Sequence, residues 1–92
     1  MIVGTVTQQP TEKLSYTINY TDSLTDGDTL KSATATVNIG GLTVSNVGVY
    51  NPRVKVWIEG GVSGKTYRVE LNVESNHGRK FQDELIVKVK EI

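Results

Sequence analysis

Seven consecutive residues, Gly60-Gly61-Val62-Ser63-Gly64-Lys65-Thr66, have the composition of a phosphate-binding loop. Such a loop needs glycine six residues before the lysine, where this chain has Glu59, and it must open a helix whose amides and dipole hold the phosphate. Thr66 instead leads into Tyr67-Arg68-Val69-Glu70-Leu71, which alternates with the period of a strand. The segment is therefore expected to be a glycine-rich turn between strands. Asp22, Asp26 and Asp28 crowd another connection. Calcium needs six to eight oxygens, usually closed by a distant glutamate, and none occurs at that spacing. An acidic, solvated turn is expected there, and no metal.

His77 lies within reach along the chain of Ser75 and Asp83, the residue types of a nucleophilic triad. A triad needs its members converging in a pocket, and Asn76-His77-Gly78 reads as the tip of a hairpin. Asp83 and Glu84 are adjacent, so on a strand they face opposite ways and cannot act together on one bond. Asn19-Tyr20-Thr21 matches a glycosylation acceptor, but Tyr20 continues an apolar strand face. No catalytic, cofactor or metal-binding constellation is expected.

Composition narrows the classes further. There is no cysteine, so neither disulfides nor thiolate metal sites supplement the core. Ten basic and ten acidic side chains give a formal charge of zero, without the basic excess that phosphate neutralisation demands of a general nucleic-acid binder. No segment approaches the ~20 apolar residues of a spanning helix. The first residues lack the pattern of a secretion signal, which makes the cytoplasm the expected site of synthesis. Neither nucleic acid nor membrane is an expected partner.

The elements that would position any site are strands. Leu14, Tyr16, Ile18 and Tyr20 share one parity; so do Ala33, Ala35, Val37 and Ile39, then Tyr67, Val69, Leu71 and Val73, then Leu85, Val87 and Val89. Val3–Gln8 and Arg53–Ile58 add two more strands. Leu42–Tyr50 carries apolar residues on both faces and reads as one strand or two short pieces. Turn residues fall at Gly40-Gly41, Asn51-Pro52, Gly60 to Gly64 and Asn76 to Gly78. Short strands with turns every 8–12 residues give the expected fold: a single immunoglobulin-like antiparallel β-sandwich of about seven strands over residues 1–92. Trp57 is expected in its core as the tryptophan of the central strand, although the residues of the same parity are Arg53 and Lys55. An exposed Trp57 between those cations would instead be a contact residue.

With the strands placed, several strings become informative. They are Leu14-Ser15-Tyr16-Thr17-Ile18-Asn19-Tyr20-Thr21-Asp22-Ser23-Leu24, Gly27-Asp28-Thr29-Leu30, Val56-Trp57-Ile58-Glu59-Gly60-Gly61, and Gly78-Arg79 leading to Asp83-Glu84. Together they resemble a family of small immunoglobulin-like bacteriophage proteins: fibre-to-tail adaptors and modules that decorate a capsid or tail. Many relatives carry an aromatic residue where this chain has Ser23.

The resemblance implies a non-enzymatic virion structural protein that binds tail, fibre or capsid proteins, with copies able to meet on a symmetric particle. Loops at the ends of a sandwich commonly carry binding. On that basis the expected partner-binding residues are Asp22, Asp26 and Asp28 in the acidic loop, and Gly60, Gly61 and Gly64 in the glycine-rich turn. The alternative is a carbohydrate-binding or adhesin-type sandwich module of a bacterial surface protein, for which Trp57 and Tyr50 would form the aromatic platform.

Overall fold

The computed structural model describes all residues from Met1 to Ile92. Seven strands succeed one another: β1 (Ile2–Gln8), β2 (Lys13–Asn19), β3 (Leu30–Val37), β4 (Leu42–Tyr50), β5 (Arg53–Gly60), β6 (Thr66–Ser75) and β7 (Lys80–Val89). One three-residue 3-10 turn, Thr21–Ser23, interrupts the connection from β2 to β3. The strands form two sheets, ordered β1-β7-β6-β3 and β2-β5-β4, which pack face to face as a sandwich.

Pairing is antiparallel except at one place: β1 runs parallel to β7. The purely antiparallel expectation needs that correction. β1 can lie beside the last strand without a hairpin because the rest of the chain forms the crossover between them.

Alternation decides what is buried. Val54, Val56 and Ile58 on β5 face Tyr67, Val69, Leu71 and Val73 on β6 and Leu85, Val87 and Val89 on β7, and all are at most 4% exposed. Burying each aliphatic side chain of this size is worth roughly 1.5–3 kcal/mol, so this inner layer holds the sheets together. Gln8 is the largest polar side chain inside. Its amide donates to the carbonyls of Ile58 and Glu12, both at 2.8 Å, and its Oε1 accepts from the Tyr16 hydroxyl at 2.8 Å. Every polar atom of that side chain thus has a partner, as burial requires. Burial, and secondly the nearby Glu12 carboxylate, raises the Tyr16 pKa.

β4 is a single strand, and its mixed pattern has a physical cause. The register with β5 slips between Ser45 and Gly48, and Asn46 has φ +48°. This β-bulge shifts parity by one residue. Leu42 and Val44 before it, and Val47 and Val49 after it, therefore all pack against the core.

Trp57 is not in the core. Val54, Val56 and Ile58 already occupy the inner face of β5, so Trp57 stands half-buried on the outer face beside Lys55, whose Nζ lies 5.2 Å from the ring centroid. The pleat dictates this outcome, because residues one apart on a strand cannot share a face.

Candidate functional site

The acidic loop and the glycine-rich turn lie at opposite ends of the sandwich. β2 and β5 pair from Lys13 opposite Glu59 to Asn19 opposite Arg53, which puts the loop after Asn19 at one end and the turn after Gly60 at the other. The molecule measures 44 × 20 × 19 Å along its principal axes. The six expected contact residues therefore form two patches rather than one.

At the first end, the 20–29 connection is tied down from several directions. Tyr20 N–H donates to the Pro52 carbonyl at 2.8 Å and Leu30 N–H donates to Asn51 Oδ1 at 2.8 Å. The Asn76 amide donates to Thr29 Oγ1 at 2.7 Å. Asp28 is the hub. Its carboxylate, with no exposed side-chain surface, accepts from Arg79 Nη1 at 2.7 Å and from the backbone N–H groups of Thr29 at 2.8 Å and His77 at 3.0 Å. Ser75 adds a side-chain hydrogen bond to it, and Ser75 Oγ in turn accepts from Arg79 N–H at 3.0 Å. Burial pushes the Asp28 carboxyl up, but the bonds from Ser75, Arg79, His77 and Thr29 outweigh it and hold the pKa well below the ordinary carboxylate range.

Asp28 is thus enclosed and presents nothing to a partner; its role is to lock the β2–β3 loop onto the β6–β7 turn. Asp26 is exposed, with φ +59°, and its carboxylate reaches Arg79 Nη2 at 3.3 Å. Asp22, in the 3-10 turn, is exposed. The three aspartates are not gathered into a metal-binding group. His77 caps the hairpin tip, half-exposed, with Nδ1 3.9 Å from Asp28 Oδ1.

Tyr20 and Asp83 lie beneath this end. Tyr20 stacks on Phe81 with ring centroids 5.7 Å apart. Its hydroxyl is enclosed and no hydrogen bond to it meets standard geometry, yet Asp83 is close enough that burial first, and the carboxylate second, raise the Tyr20 pKa far above the usual range. Asp83 points inward, while Glu84 points out and pairs with Arg68 at 3.1 Å. Adjacent acids on opposite faces are what the strand period requires.

At the second end, the turn is built into the core margin. Gly61 N–H donates to the Gly41 carbonyl at 2.9 Å, Gly64 N–H to the Val89 carbonyl at 2.8 Å, and Val62 N–H to the Tyr67 hydroxyl at 2.9 Å. Gly61, at φ +101°, leaves room for Val89: a Cβ there would sit 2.5 Å from Val89 Cγ2. The segment leads into β6 and not into a helix, so it has no phosphate-binding geometry. Ser63, Gly64 and Lys65 at its tip are exposed beside Lys88 and Lys90.

The chain matches the family model described as podophage GP4 fiber-tail adaptor protein gp77 over residues 8–88. It belongs to that family. The matched stretch runs from the end of β1 through all but the last residue of β7, so the fibre-tail adaptor family accounts for nearly the whole sandwich. The resemblance read from the tyrosine-rich β2, the Val56-to-Gly61 block and the Gly78-Arg79 hairpin points to this same adaptor group. No curated protein sequence matches the chain.

Residue type and spacing did not connect Ser75 or Arg79 with Asp28, although the three together organise the first end. Arg79 is 51 positions from Asp28, and only the expectation that the β2–β3 and β6–β7 connections share one end of a sandwich could have paired them.

Proposed function

We propose that this chain is a non-enzymatic, immunoglobulin-like connector of the phage virion that joins tail to fibre components through its two ends. Membership of the fibre-tail adaptor family carries this reading. The immunoglobulin-like description is supported by the allocation of β2, β5 and β4 to one sheet and β3, β6 and β7 to the other.

A connector needs two contact regions that do not compete. The exposed Asp22 and Asp26 occupy one end and the tip around Gly64 occupies the other, separated along the long axis. Gly60 and Gly61 shape the second contact, and Asp28 shapes the first from within. Contacts of modest strength suffice when copies repeat around a symmetric tail, because the effective concentration of each further contact is high.

Quantitative mass spectrometry of purified particles tests the reading. A small copy number matching the symmetry of the tail is expected. Copies in the number of capsid subunits would replace the connector with a decoration module, and absence from the particle would remove the virion role.

A further inference from the structure

The outer face of the β2-β5-β4 sheet holds a feature that neither end explains. Along β5 the outward residues are Arg53, Lys55, Trp57 and Glu59. Register places small side chains on both sides of the chain's single tryptophan: Ser15 on β2 and Ser45 on β4. One step along, Thr17 and Gly48 flank Lys55, and one step further Asn19 and Tyr50 flank Arg53.

Tyr50 is 64% exposed, and its ring lies across Gly48, where an added Cβ would meet ring carbon Cε2 at 2.7 Å. Lys55 in turn lies over Trp57. Tyr50, Gly48, Lys55 and Trp57 are therefore successive neighbours in one strip of the outer face. The bulge at Asn46 creates it, because without that parity shift Val47 and Val49 would face outward in place of Gly48 and Tyr50.

Charge on this face is unbalanced. Lys13, Arg53 and Lys55 stand against Glu59 alone, and none of the four is in an ion pair. The chain as a whole is neutral, so the surplus is local. Tryptophan, tyrosine and arginine are the side chains enriched at the energetic centres of protein interfaces.

We propose that this face docks a second virion protein whose surface sets carboxylates around an apolar patch. The patch covers Trp57 and Tyr50, and the carboxylates meet Arg53 and Lys55. The inference rests on the adaptor reading and adds a lateral contact to it. A neutral sugar would stack on the aromatic rings but would leave Arg53 and Lys55 without partners, so charge complementarity favours an acidic protein surface.

The test supplies the chain in trans, at limiting amount, to particles assembling without their own copy, and counts incorporated copies by mass spectrometry. Lys55→Glu, which keeps Trp57 in place but removes the ammonium over its ring, is expected to lower incorporation by about tenfold or more through charge reversal at the contact. Trp57→Ser is expected to weaken the contact by roughly thirtyfold, the scale of a hot-spot truncation. Thr34→Glu, outward on the opposite sheet, is expected to behave as wild type. Thermal melts of each free variant show that the fold is retained; should Trp57→Ser not fold, Lys55→Glu and Gly48→Ala carry the test.

Wild-type incorporation by Lys55→Glu and Trp57→Ser would overturn this inference while leaving the adaptor reading intact. Absence of the wild-type chain from particles would remove the adaptor reading itself. Variants that incorporate normally but abolish particle binding to host glycan would make the face a sugar platform and overturn the proposal. Loss of self-association by the free chain, with no other partner affected, would assign the face to a second copy and overturn it equally.

Discussion

Substituting Gly61 by alanine separates what the glycine-rich turn does for the fold from what it offers a partner. At φ +101° any side chain is strained, and holding a non-glycine residue in such a region costs about 1–3 kcal/mol. The new methyl would also stand 2.5 Å from Val89 Cγ2 and 3.2 Å from Leu42 Cδ1. Val89 is 2% exposed and Leu42 5%, so neither can move into solvent, and a β-branched valine has few rotamers to escape through. Overpacking of this kind adds about 1–3 kcal/mol.

The expected total is roughly 2–6 kcal/mol, a large share of the ~5–15 kcal/mol available to a domain. Gly64→Ala supplies the control: its φ is +90°, but nothing lies within 4 Å of the added Cβ, so only the backbone cost of about 1–3 kcal/mol applies. Urea unfolding monitored by the fluorescence of Trp57 measures both, and the difference between them isolates the packing cost. Equal destabilisation by the two substitutions would refute the reasoning. So would failure of Val89→Ala to recover part of the loss in the Gly61→Ala background, since the two side chains should couple.

Buried groups and strand register support three more predictions. Asp28→Asn is expected to destabilise the chain at neutral pH. Because the folded carboxyl titrates below its ordinary 3.8, its contribution is present above that value and fades as pH falls below it, so the gap between wild type and variant should close in acid; parallel pH profiles would contradict the network around Arg79. Tyr20→Phe removes an enclosed hydroxyl without a well-formed hydrogen bond and should change stability by less than about 1 kcal/mol at neutral pH. Its raised pKa means that the wild type loses stability as pH climbs above the ordinary 10.0, and the phenylalanine variant should lose less, as alkaline melts would show. Deleting Asn46 removes the bulge and turns Val47 and Val49 outward; the expected result is a melting midpoint many degrees lower, and a midpoint near wild type would show that β4 tolerates the slip.

The strands were legible because period two leaves one solution per strand. Tyr67, Val69, Leu71 and Val73 cannot face water while Arg68 and Asn72 face inward. Legibility ended where contacts join distant positions. Asp28 looks like its solvated neighbours Asp22 and Asp26 until Arg79 is brought beside it, and no local spacing announces that pairing. The parallel β1–β7 pair is equally silent, because an edge strand of either direction has the same pattern.

Trp57 and β4 were harder for a shared reason: each gave two signals that disagreed. Trp57 had the burial tendency of its residue type against the parity of Arg53 and Lys55, and parity won because Val54, Val56 and Ile58 already filled the inner face. In β4 no single parity fitted, since Leu42 and Val44 are out of step with Val47 and Val49. One inserted residue reconciles them, and the same insertion sends Tyr50 and the bare backbone of Gly48 to the face that carries Trp57. Core and candidate contact surface are therefore set by a single local device. A change that restores strict alternation in β4 should damage both at once, burying fewer valines and dismantling the aromatic strip.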